Sequence, residues 1–100
     1  MKVLFYPACA DRRPIDHNYI RKGCVFTCFE DALNYEKRFF HDDDDWGVIG
    51  RVDNVWFRVW ERSEKGELLV SDDTGLRSGW INALPLEEYL CFKKINTIPL

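Results

Sequence analysis

The sequence predicts an α+β fold in one small domain, residues 1–100: an antiparallel β-meander of four to five strands, one amphipathic helix at about 28–40 packed on one face, and a short C-terminal helix at about 85–90. Three observations carry that prediction. The length of 100 residues suits a single core, and a chain of this size buries roughly 60–70% of its unfolded surface. Apolar residues at 46% and charged residues at 31% lie in the ordinary globular range. One long segment repeats its apolar residues with a helical period, and several short apolar segments lie between turn residues, of which Val55–Arg62 alternates with a period of two.

Lys2–Tyr6 is a short apolar run that Pro7 ends, which predicts a first strand placed inside the sheet. Residues 7–23 hold two prolines and no clean period, and they read as a long loop with a turn of helix near Asp16–Arg21. A structureless stretch of that length is more often functional than not. The helix is predicted from Cys28 to Phe40. Thr27 and Glu30 give a capping-box pattern, and Phe29, Ala32, Leu33, Glu36 and Phe40 fall on one face, flanked by Tyr35 and Phe39. Glu30 and Asp31 in its first turn and Lys37 and Arg38 in its last follow the helix dipole.

His41 and the run Asp42, Asp43, Asp44 and Asp45 stop the helix, because aspartate is a poor helix former and adjacent carboxylates repel. Strands follow at Trp46–Val52, Val55–Arg62 and Glu67–Ser71, joined by a two-residue turn at Asp53-Asn54 and a longer one over Ser63–Gly66. Beyond the turn Asp72–Gly75, Leu76–Ile81 reads as a further strand, Pro85 opens the short helix, and Cys91–Ile95 returns as an edge strand. Val55, Phe57 and Val59 are expected to meet Phe29, Leu33 and Phe40 in the core.

Function is sought first in Val55–Arg62. Strand alternation places Val55, Phe57, Val59 and Glu61 on one face and Trp56, Arg58, Trp60 and Arg62 on the other. Trp and Arg are the types enriched at binding hot spots, so the second face is the expected contact surface, with the indoles as anchors and the guanidinium groups as carboxylate or phosphate donors. The plainer alternative is that this face packs under the N-terminal loop or a helix, its arginine stems covering the indoles. The aspartates Asp42–Asp45 are expected to steer a basic partner, with a solvated turn as the ordinary alternative.

Other chemistries find weaker support. Cys24 and Cys28, spaced Cys-x3-Cys, with His17 and His41 are ligand types that zinc accepts, yet no second knuckle exists, so no metal and no cofactor is expected. Cys28 at a helix N-terminus suits a thiolate nucleophile with His17 or His41 as its base, but no catalytic signature is present, and the expectation is no enzyme. Stacking of a nucleotide or a single strand on the aromatic face is the alternative binding mode. The formal charge of −3 counts against nucleic acid. With no apolar run long enough for a leader or a membrane span, the four cysteines are expected to be reduced and the protein cytoplasmic. These traits suit a monomeric or homodimeric inhibitor or adaptor that binds another protein, in the style of immunity proteins or of phage and mobile-element counter-defence proteins, an analogy that rests on no motif.

Overall fold

A computed structural model describes residues 2–9, 24–40, 46–72 and 76–97. It has a five-stranded antiparallel sheet: β1 (Leu4–Cys9), β2 (Trp46–Val52), β3 (Val55–Arg62), β4 (Leu68–Ser71) and β5 (Leu84–Pro85), paired in sequence order. Helices α1 (Phe29–Phe40), α2 (Leu76–Ile81) and α3 (Leu86–Thr97) complete the α+β domain. The predicted meander and amphipathic helix are both present.

β1 lies at an edge of the sheet, not inside it, and runs through Pro7 to Cys9. Phe5 exchanges backbone hydrogen bonds with Phe26 at 2.8 and 2.9 Å on the side away from β2. Two residues further along the strand, Pro7 also turns its nitrogen outward. The missing N–H therefore costs no ladder bond, which is why proline is tolerated on an edge. Residues 7–9, expected in the long loop, thus belong to β1, and the rest of that stretch, with the helical turn expected at 16–21, lies outside the described residues.

α1 starts one residue later than predicted. Its first bond runs from the Ala32 N–H to the Cys28 carbonyl at 3.3 Å, so the cap falls on Cys28, and the reciprocal Thr27–Glu30 cap does not form. Glu30 is drawn to Arg62 instead.

At the β2–β3 turn Asp53 takes φ 53°, a left-handed conformation that aspartate tolerates better than most residues. The β3–β4 turn closes with Ser63 N–H donating to the Glu67 carbonyl at 2.7 Å and Gly66 N–H to the Ser63 carbonyl at 2.9 Å, with Gly66 at φ 86°.

The C-terminal third departs most from expectation. Leu76–Ile81 is a helix, not a strand, and its end is held by Asn82, whose N–H and Nδ2 donate to the Ser78 carbonyl at 3.1 and 2.8 Å. The strand that follows is the two-residue β5, in which Leu84 faces Val70 and Pro85 faces Leu69. Residues 91–95, read as a strand, belong to α3. Leu86, Tyr89 and Leu90 recur at helical spacing and pack inward, and Lys93, one turn beyond Tyr89, continues the helix past the boundary expected at residue 90 with its ammonium over the Tyr89 ring.

Both long helices cover one face of the sheet. Phe5, Val48, Phe57, Val59, Leu68 and Val70 from the strands meet Phe29 and Ala32 of α1 and Leu86 and Tyr89 of α3. Leu33 and Val55 pack against this core as predicted, while the Phe40 side chain lies outside the described ones. Tyr89 also ties α3 to the sheet: its hydroxyl donates to the Asp72 carboxylate and lies 3.3 Å from the Trp56 carbonyl. Lys93 pairs with the other Asp72 oxygen at 2.6 Å. Burial, then the hydrogen bond to Asp72 and its negative charge, push the Tyr89 hydroxyl well above the ordinary tyrosine pKa.

Candidate functional site

Opposite the helices, the outer face of the sheet is built from cross-strand rows. Leu4, Arg51 and Trp56 form one row; Tyr6, Ile49, Arg58 and Ser71 form the next. Three of the four residues expected at the contact surface, Trp56, Arg58 and Trp60, share this face. Arg62 does not. Val59 pairs with Val70 and Glu61 with Leu69, so Trp60 is the extra residue of a β-bulge. From there the alternation is shifted by one, and Arg62 pairs with the core residue Leu68 on the helix side.

There Arg62 makes a bidentate contact with Glu30, Nε to Oε1 at 2.8 Å and Nη2 to Oε2 at 3.1 Å, and its Nη1 donates to the Gly66 carbonyl at 2.9 Å. The hydrogen bond from Arg62, followed by its charge, holds the Glu30 carboxyl below the ordinary carboxylate range despite an opposing contribution from burial; the reciprocal bond raises Arg62. This clamp ties the start of α1 to the β3–β4 hairpin.

Arg58 is a buried packing group, not a free donor: only 5% of its surface is exposed, and its guanidinium carbon sits 3.9 Å from the Trp60 ring centre. Trp60 is fixed again by its indole N–H, which donates to Ser71 Oγ at 2.8 Å. Trp80 of α2 then meets Trp60 edge-on, with ring centres 6.3 Å apart and planes at 84°. Edge-to-face pairs of this kind add roughly 0.5–1.5 kcal/mol to simple burial. Trp80 remains 50% exposed and its neighbour Ile81 68%.

A rigid inner stack of Arg58, Trp60 and Ser71 thus presents an exposed outer pair, Trp80 and Ile81. The sequence reading missed that pair, because a strand over 76–81 turns Trp80 into one more alternating residue. Asn82, just beyond Ile81, was the available sign of where a short helix ends. At the other end of the face, Trp56 leans on Tyr6 with ring centres 5.6 Å apart and lies under Arg51 at 5.0 Å. Ala8 and Ile49 are buried beside Trp56.

Asp42, Asp43, Asp44 and Asp45 lie outside the described residues, as do His17, His41 and the whole of 10–23, the loop considered as a cover for this face. Of the second acidic turn, Asp72 is engaged with Tyr89 and Lys93. Cys24, Cys28 and Cys91 are free thiols, and Cys24 Sγ lies 3.5 Å from the Tyr35 hydroxyl. Among the described residues no group of three or more His, Cys, Asp or Glu side chains is placed to hold a metal ion, and no helix is long and apolar enough to cross a membrane.

Comparison with known proteins adds no relative: no family model, curated protein or solved structure matches the chain.

Proposed function

We propose that this chain is a non-catalytic, cytoplasmic protein-binding domain, an inhibitor or adaptor in kind, that grips its partner at the aromatic corner of Trp60, Trp80 and Ile81. The observation that carries this reading is the seating of an exposed indole on a half-buried one. Trp80 is 50% exposed yet braced edge-on by Trp60, which Arg58 and Ser71 hold in turn. A tryptophan already fixed in place loses little side-chain freedom when a partner covers it, and aromatic anchors of this sort dominate interface energetics. The adjoining Ile81 widens the apolar contact. The formal charge of −3 and the aspartate run 42–45 favour a partner with a basic surface.

Arg58 supports the surface from beneath in this reading, while Trp56 lies at the other end of the face with Tyr6 and Arg51. Trp60 contributes partly through its hold on Trp80, and Arg62 braces the scaffold. Trp80→Ala is therefore the informative substitution. A partner is isolated by affinity capture on the wild-type protein, identified, and titrated by calorimetry against wild type, Trp80→Ala and Ile81→Ala. Trp80→Ala is expected to weaken binding by about 2 kcal/mol or more, the size of a hot-spot loss, in a domain that stays folded and loses roughly 0.5–1.5 kcal/mol of stability with the Trp60 edge contact. An identified partner that binds Trp80→Ala and Ile81→Ala as tightly as wild type removes the aromatic corner as the contact surface.

A further inference from the structure

At the far end of the outer face from Trp80, beside the β2–β3 turn, a cavity of about 310 Å³ is lined by Lys2, Leu4, Arg51 and Asp53. Arg51 is held on two sides. Its Nε donates to the Asp53 carbonyl at 2.6 Å, and its guanidinium carbon lies 5.0 Å from the centre of the Trp56 ring, which is itself braced by Tyr6. Those contacts use one of its five N–H groups and one face of the plane. The four donors on Nη1 and Nη2 are the fork that matches a pair of oxyanion oxygens. No carboxylate among the described residues forms an ion pair with Arg51 or Lys2. Among the described lining residues two cations stand against one carboxylate, that of Asp53, in a chain whose formal charge is −3.

We propose that this cavity is a binding site for a small oxyanion, a phosphate or a carboxylate, with the Nη1/Nη2 fork of Arg51 as its principal donor and Lys2 Nζ as the second cation. Leu4 supplies an apolar wall, so the bound group fits as the charged end of a small molecule. Asp53 has two opposed parts in the site. Its backbone carbonyl aims the guanidinium, while its carboxylate repels the anion and limits affinity. The site is separate from the aromatic corner and does not depend on it.

The test is calorimetric titration of the whole protein with sodium phosphate and, separately, sodium acetate at constant ionic strength, with tryptophan emission followed in parallel. Saturable binding is expected in about the millimolar range. Arg51→Lys, which keeps the charge and loses the fork, is expected to weaken it about tenfold. Lys2→Gln, at an exposed position, is expected to weaken it roughly threefold, and Asp53→Asn, which tolerates the same left-handed backbone, to strengthen it roughly threefold. Trp56→Phe should remove the optical signal and keep the heat. Tighter phosphate binding assigns the site to phosphorylated small molecules, and tighter acetate binding to carboxylates. Absence of saturable heat with both anions overturns the proposal. So does an affinity that none of Arg51→Lys, Lys2→Gln and Asp53→Asn changes, even if one of these variants proves too unstable to measure.

Discussion

Gly50 shows how closely one residue specifies the packing above it. It lies in β2 opposite Phe57 of β3, and a β-carbon built there would run into Cε2 of that ring and sit 2.9 Å from Cζ. Phe57 is fully buried among Phe29, Val59 and Tyr89, so the ring has no open space into which to retreat. Gly50→Ala is expected to destabilise the domain by about 1–3 kcal/mol, the usual cost of overpacking, read as a lower urea midpoint at unchanged slope. Gly66→Ala makes a useful contrast: its β-carbon meets nothing within 4 Å, and its cost comes from φ 86° alone. Tyr89 yields a second prediction. Its hydroxyl is pushed above the ordinary tyrosine pKa, chiefly by burial, so the unfolded chain ionises first as pH rises. Stability should therefore hold below about pH 10 and fall above it. Tyr89→Phe removes that decline at the cost of the Asp72 hydrogen bond, making the variant less stable at neutral pH and less sensitive to alkali. Urea unfolding across pH 8–11 of wild type and variant compares the two slopes; equal slopes would contradict the assignment.

α1 was legible in the sequence from its helical period, and the three strands from Trp46 to Ser71 as apolar runs bounded by turn residues, with a clear alternation in Val55–Arg62 alone. The elements that were misread lack such signals. Leu76–Ile81 is too short for its period to separate strand from helix, and Cys91–Ile95 continues a helical face whose earlier members lie before residue 90. Pro7 reads as a strand terminator only if its nitrogen faces a neighbouring strand, and sequence does not reveal an edge. The candidate site follows the same division. Alternation brings Trp56, Arg58 and Trp60 to one face, but the bulge at Trp60 has no periodic signature, and it carries Arg62 to Glu30. That clamp permits a test: a double-mutant cycle with Glu30→Gln and Arg62→Met is expected to give a coupling of about 0.2–1 kcal/mol, since both side chains are nearly half exposed. Because the folded Glu30 pKa is depressed, the coupling should be present at neutral pH and disappear as pH falls below the ordinary carboxylate value. A coupling that persists in strong acid would show that it does not come from the ionised Glu30 carboxylate.

The sheet order ranks the stability of the parts. β3 is paired on both sides and carries Phe57 and Val59 under both long helices, so its amides should exchange only through global unfolding. α2 is a six-residue helix whose last two side chains, Trp80 and Ile81, are half or more exposed. Few buried contacts and a short hydrogen-bonded run are the marks of a segment that opens locally. Hydrogen exchange followed by mass spectrometry is expected to show peptides covering 55–62 protected longest and those covering 78–83 exchanging far sooner. Adding a partner that covers the aromatic corner should slow exchange at 78–83 and leave 55–59 near its original rate, because Trp60 already fixes the base on which Trp80 rests. If α2 proves as protected as β3 in the free protein, the corner is preorganised more deeply than the Trp60 contact alone explains. If a bound partner protects β1 and the Asp53 turn instead, the Arg51 end of the outer face is where the two proteins meet.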